Sequence, residues 1–378
     1  MILIYNVPSQ QWCGLCHILA DNTTNNFLTY ALNNTKPTLQ LNNFDLLRLV
    51  FAVTVCLVHA HTLTNFRELT LLSQILSSDI AVKSFFIISG FLIFMSYEKS
   101  SSLNNYYEKR IRRIYPAYFT VVLSCALLLF FLSNKSLAYY FSTQWLKYII
   151  TNLVFLNFLQ PALPGVFDNN SMNAINGALW TLKIEVMFYI TVPIFVFLFR
   201  KFSTFSVLML GYLLSISYLL VVQFYADKTG SSLLLELSRQ LPGQLCYFFS
   251  GAFFYYYFSQ FIKYKFYFLF FSLLTFFLNN QLPLKIVMPF ALACIVIFLA
   301  FFYCFGNFGK FGDISYGVYI LHFPVIQTLL SLNYFTSPYY FLTTVLSVTA
   351  LLSFMMWHLI EKKFLLPRNH YVSPVNIK

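Results

Sequence analysis

The chain has 378 residues, of which 59% are hydrophobic, 20% aromatic and only 10% charged, where soluble domains carry about 25% charge. So much apolar sequence exceeds one compact core and excludes a soluble globule, whereas about ten spans of about 20 residues would absorb it. The 24 Lys and Arg against 12 Asp and Glu point to basic loops that face anionic lipid or an anionic ligand, and nucleic acid is a poor partner for such a chain.

The first 40 residues lack a basic stretch ahead of an apolar one, so they read as a polar tail rather than a signal peptide. Within them Cys13, Cys16 and His17 form a CxxCH, the pattern of haem attachment or half a metal site, but no second Cys/His pair completes a site. The seven cysteines are odd in number and scattered through apolar runs, which implies no disulfide framework and no metal.

Apolar runs then fall near 44–63, 80–97, 114–132, 148–160, 179–199, 203–224, 243–262, 266–279, 286–304, 313–332 and 339–360. The densest basic cluster, Lys99 with Lys109, Arg110, Arg112 and Arg113, sets its loop in the cytoplasm by the positive-inside rule. If all eleven runs crossed, the later basic pairs, Arg200 with Lys201 and Lys263 with Lys265, would lie outside. The run 148–160 is short and meets Pro161 and Pro164, too little to cross about 30 Å at 1.5 Å per residue. Treating it as re-entrant returns every basic pair to the cytoplasm. The expectation is an all-α integral membrane protein of about ten transmembrane helices plus one re-entrant segment, both termini cytoplasmic: a tail over 1–40, a membrane domain over 41–365 and a short cytoplasmic tail over 366–378.

Ionisable groups inside apolar runs are costly and mark function, pairing or a wet cavity. The first run carries Asp45, Arg48, His59 and His61, the fifth Lys183 and Glu185, the tenth Asp313 and His322, and the last His358 and Glu361. Arg48 and His59 have ten residues between them, about 16 Å and three turns, and so share a face. That suits a substrate with an anionic part near the cytoplasm and a reactive part deeper, where a neutral imidazole can take a proton. A snorkelling Arg48 and a packed His59 fit the spacing as well. KRIRRIYP, Lys109 to Pro116, is either a phosphate-binding arginine cluster or a plain topology signal. Ser89 and Gly90 form a small pair suited to close helix packing, and no GxSxG elbow surrounds Ser89. In LWTLKIEVMFY, Leu179 to Tyr189, Trp180 sits at the outer interface and Glu185 lies about one and a half turns deeper, with Arg48 or His59 as its expected partners.

Taken in order, these blocks resemble the acyltransferase-3 family of membrane proteins, whose bacterial members O-acylate surface polysaccharides and other acceptors. NNFDLLRLVFAVTVCLVHA (42–60) is similar to the family's first span, including the arginine and histidine at Arg48 and His59. SFFIISGFLIF (84–94), the stretch through Arg110, Arg113 and Pro116, LWTLKIEVMFY, and ISYGVYILHFPV (314–325) resemble the blocks that follow. The resemblance implies ten spanning helices with a cytoplasmic acyl-CoA site. His59 is then a general base, or a transient acyl carrier, held by Arg48 and Glu185. Arg110, Arg113 and Arg112 are expected to hold the phosphates of acetyl-CoA, and Trp180, Tyr189, Ser89 and His322 to touch substrate. The acceptor would be a hydroxyl of a glycan or lipid-linked saccharide, and the location the cell inner membrane. Two positions depart from the pattern, Lys83 in a variable slot and Val186 after Glu185, where many relatives have a second acid. A transporter without chemistry is the competing reading, though no internal repeat supports it.

Overall fold

Most apolar runs of the sequence become one helix in the computed structural model, which describes residues 42–278, 282–302, 312–333 and 337–365; the run 243–262 passes from one helix into the next, and 148–160 is α-helical only to Leu153. Eleven described helices exceed eight residues: α1 Phe44–Thr64, α2 Ser78–Glu98, α3 Leu103–Leu128, α4 Thr143–Leu153, α5 Trp180–Lys201, α6 Thr204–Thr229, α7 Leu241–Tyr256, α8 Phe258–Phe277, α9 Leu282–Phe302, α10 Ser315–Ser331 and α11 Pro338–Met356. The described residues contain no strand. The expected tails over 1–40 and 366–378, and with them Cys13, Cys16 and His17, lie outside the described residues.

Seven helical stretches, containing α1, α2, α3, α5, α6, α9 and α11, are long and apolar enough to cross a bilayer. The chain is thus a multi-pass, all-helical membrane protein. The other expected spans have physical reasons to fall short of that measure. Helix α7 has 16 residues and α10 has 17, and most of their side chains are buried among neighbouring helices, so they meet protein on nearly every side instead of lipid. Helix α8 is broken at Tyr264, where the backbone leaves helical geometry (φ −116°, ψ 18°). Helix α4, with 11 residues, rises only about 16 Å and cannot cross. It ends where Tyr118 donates to the Asn152 carbonyl at 2.6 Å and Asn152 Nδ2 donates to the Gln160 carbonyl at 3.0 Å.

The largest boundary difference is α3, which begins at Leu103 although apolarity begins near 114. The basic run Lys109–Pro116 is therefore helical rather than loop, started by Ser102, whose side chain accepts from Asn105 N. Helical geometry sends Arg110 and Arg113, three apart, to one face and Arg112 to the opposite one.

Helix α2 is the hub, packing on α7, α1 and α5. It crosses α7 at glycine: a Cβ on Gly90 would lie 2.0 Å from the Phe248 carbonyl oxygen, and one on Gly251 would lie 2.0 Å from that of Ile87. The two backbones touch, as small residues allow in membranes. Stacked Phe188 and Phe248, with centroids 4.1 Å apart, lock α5 beside this crossing. On the other flank α1 lies along α10 and α10 along α11. Asn43 fastens the start of α1 to the end of α9 by donating from N to the Ala300 carbonyl at 2.8 Å and from Nδ2 to that of Leu299 at 3.1 Å.

Candidate active site

Helices α1, α2, α3, α5 and α10 surround a cavity of about 110 Å³ lined by Arg48, Arg110, Arg113, Ser89, Glu185 and Tyr189 together with Phe85, Tyr316 and Tyr319. Six of the ten residues singled out in the sequence thus meet around one space. Their pairing differs from expectation. Glu185 accepts from the Tyr189 hydroxyl at 2.6 Å and from Ser89 Oγ at 3.5 Å, not from Arg48 or His59. Residues 185 and 189 are one turn apart, so this bond forms within α5 and leaves the carboxylate turned to the cavity.

Arg48 and Arg113 are committed to carboxylates. Arg48 pairs with Asp45 one turn before it and with Asp313 at 3.3 Å. Arg113 pairs with the same Asp313 and with Glu361 at 3.4 Å. Asp313 also accepts from the backbone N of Ser315 at 3.2 Å and from its hydroxyl, and so is tied to the first residue of α10. Glu361 arrives on a π-helical turn, Trp357–Glu361, that prolongs α11. Asp313 and Glu361 are about 2% exposed, so this network is charge taken out of water and balanced within the protein. The sequence marks both as ionisable groups in apolar runs. What it does not display is their partner, 200 residues away in the case of Asp313 and Arg113.

Arg110 differs from the other two: it donates to Ser96 Oγ at 2.9 Å and lies 5.6 Å from the Tyr189 ring centroid. Those contacts are neutral, and among the described residues Arg110 makes no ion pair, although it shares the cavity with the Glu185 carboxylate. Arg112 turns outward to Glu108 at 2.8 Å and is about half exposed. The three arginines grouped in the sequence therefore occupy three environments.

His59 and His322 lie beyond the Tyr319 side of the cavity. The ring of Tyr319 is 6.0 Å from that of His322, and its hydroxyl is 2.7 Å from Thr181 Oγ1 at the start of α5. His59 Nδ1 is 2.9 Å from His322 Nε2, with the rings near-parallel at 24°. Phe323 meets His59 edge-on at 5.6 Å. Phe323 is backed by Gly177, where a Cβ would lie 2.7 Å from its ring, and Asn176 Nδ2 donates to the Ile320 carbonyl at 2.8 Å. The segment before α5 thus reaches the middle of α10. Trp180 opens α5 half-buried against the core and outside the cavity lining. Ser315, Tyr319 and His322 recur at helical spacing in the late block, the one sequence sign that they share a face.

Comparison with known proteins adds the following. A family described as an acyltransferase domain matches residues 41–358. The chain is 32% identical to an O-acetyl transferase of Shigella phage Sf6 over 336 residues, 86% of this chain and 96% of that protein. It is 26% identical to nodulation protein 10 of Rhizobium leguminosarum bv. viciae over 354 residues, 88% of this chain and 95% of the other. A shorter stretch, 32% of this chain, is 28% identical to the acyltransferase MdmB of Streptomyces mycarofaciens. No solved structure matches the chain.

Proposed function

The chain belongs to the acyltransferase-3 family, and from that premise we propose that it is an O-acetyltransferase of the cell inner membrane, moving acetyl from acetyl-CoA to a hydroxyl of a glycan or glycolipid. In this reading it threads the bilayer ten times with both termini in the cytoplasm. The single observation that supports the reading best is that Tyr319, which lines the cavity holding Arg110, also packs its ring against His322 of the His59–His322 pair. One end suits an anion and the other suits proton transfer.

The chemistry follows from those ends. His59 takes the proton of the acceptor hydroxyl as its oxygen attacks the thioester carbonyl; the carbon–sulfur bond breaks, and the imidazolium returns the proton to the departing thiolate. A cavity of about 110 Å³ has room for a group the size of acetyl, since about 10–15 Å³ of such space holds one water. The phosphates then lie at the cytoplasmic rim, where Arg110 is the donor best matched to them because, unlike Arg48 and Arg113, it is tied to no carboxylate by an ion pair among the described residues. Arg113 acts by holding α3 to α10 and α11, Arg48 by holding α1 to α10, and Arg112 stays outside the cavity. Glu185 with Tyr189 and Ser89 forms the polar wall that orients the thioester end. Trp180 buttresses the start of α5 near the acceptor side.

The test uses the full chain in lipid nanodiscs with labelled acetyl-CoA and an extracted glycolipid. Label should pass to the acceptor; His59→Ala should lower the rate about 10²- to 10⁴-fold. Arg110→Ala should weaken acetyl-CoA binding about 10- to 100-fold, the worth of a charged hydrogen bond. A native chain that binds no acetyl-CoA, or moves the glycolipid across the bilayer without labelling it, would refute the proposal.

A further inference from the structure

The histidine pair carries more information than the presence of a base. His322 is fully buried, and its Nδ1 lies 3.1 Å from the carbonyl oxygen of Val318, one turn earlier on α10. A carbonyl can only accept, so the proton of the neutral ring sits on Nδ1. With the proton on Nε2 instead, two lone pairs would face each other at that distance. The other nitrogen, Nε2, is then an acceptor, and among the described residues it meets His59 Nδ1 at 2.9 Å. His59 must accordingly donate from Nδ1, which leaves its own Nε2 with a lone pair.

We infer that His322 is a positioning residue: the chain of bonds Val318 O, His322, His59 fixes His59 as the Nδ1–H tautomer, with Nε2 as its basic nitrogen. Free neutral histidine prefers the opposite form, protonated on Nε2, so this tautomer has to be imposed by a neighbour. The surroundings hold the geometry. The two rings lie near-parallel, Phe323 closes the edge of His59, and Gly177 lets the segment before α5 press on Phe323. When Nε2 takes a proton, the Nδ1–H stays bonded to His322, so the ring need not turn during a catalytic cycle. The inference deepens the acyl-transfer reading, in which His59 is the base.

The tautomer can be read without any substrate, which separates a failure of this inference from a failure of the acyl-transfer reading. The full chain, labelled with ¹⁵N-histidine in nanodiscs, is observed by long-range ¹⁵N–¹H correlation, and the His59 signals are assigned by their loss in His59→Gln. The native protein should show His59 protonated on Nδ1 with an unprotonated Nε2. His322→Asn, whose side chain is too short to reach His59, should release His59 to the Nε2–H form. His322→Gln sets an amide oxygen near the lost Nε2 and should restore the native form. In acetyl transfer, His322→Asn should lower kcat about 100-fold with KM for acetyl-CoA unchanged, the worth of a correctly presented base, and His322→Gln should recover to within about tenfold of the native chain. His59 found as Nε2–H in the native protein, or still as Nδ1–H in His322→Asn, would overturn the inference. Tautomers that behave as stated in a chain that transfers no acetyl would sustain the positioning role and sink the acyl-transfer reading.

Discussion

Asp313 accepts from two guanidinia while nearly out of contact with solvent, and its removal is the most costly single change the site offers. Asp313→Asn keeps the size but removes the carboxylate that Arg48 and Arg113 share, leaving each with one carboxylate partner among the described residues, Asp45 or Glu361, at a cost of about 3–5 kcal/mol. Arg112→Ala breaks an exposed pair with Glu108 and should change stability by less than about 1 kcal/mol. Thermal unfolding of both variants in nanodiscs checks the contrast; equal losses would mean the buried network is not what ties α1, α3 and α10. The sequence exposes part of this. Helical spacing alone puts Arg110 with Arg113 and sets Arg112 apart, but only once 103–113 is known to be helix. The run of cations hides that helix because hydropathy registers charge, not the carboxylates that will neutralise it. Glu185 was harder to read for the same reason: its nearest partner is Tyr189 on its own helix, and a tyrosine hydroxyl among aromatic residues carries no distinctive pattern.

Most apolar runs correspond to one helix each, but 243–262 continues from α7 into α8, and 148–160 overlaps only the second half of α4, a helix too short to cross. Their packing depends on single positions. At the α2/α7 crossing a methyl on either Gly90 or Gly251 meets a carbonyl oxygen of the partner helix at 2.0 Å, and a backbone atom cannot swing aside as a side chain can. Gly90→Ala and Gly251→Ala should each destabilise by about 1–3 kcal/mol. Once either has parted the helices the second methyl has room, so the double variant should cost clearly less than the sum. Thermal unfolding of the two single variants and the pair in nanodiscs reads this directly; additive losses would mean that the two contacts are independent. SFFIISGF suggested close packing at Gly90. Its partner Gly251, in the aromatic stretch of α7, gave no separate sign, since one glycine among phenylalanines fits a kink or a contact equally well.

At the scale of the molecule, α7 and α10 are mostly buried among neighbouring helices. Inner helices can be short because neighbours cover them; with the break of α8 at Tyr264, this is why seven stretches are long and apolar enough to cross while charge parity in the sequence leads to ten. The threading proposed above predicts opposite exposure for two loops. In a chain with its cysteines replaced, Ser101→Cys, between α2 and α3, should react with an impermeant thiol reagent only from the cytoplasmic face. Asn134→Cys, between α3 and α4, should react only from the other face. Both reacting from one face would require an odd number of crossings between them to be withdrawn and the topology redrawn.

The buried charge network also has a history in time. Arg48 and Asp45 leave the ribosome together, already one turn apart and able to neutralise each other. Arg113 does not: Asp313 follows 200 residues later, a wait of about 10–40 s at ordinary rates of synthesis. Until then α3 carries an unanswered cation at the edge of the membrane, and the nascent bundle cannot settle α3 against its eventual neighbours. The last two helices therefore deliver the counter-charges for an earlier one.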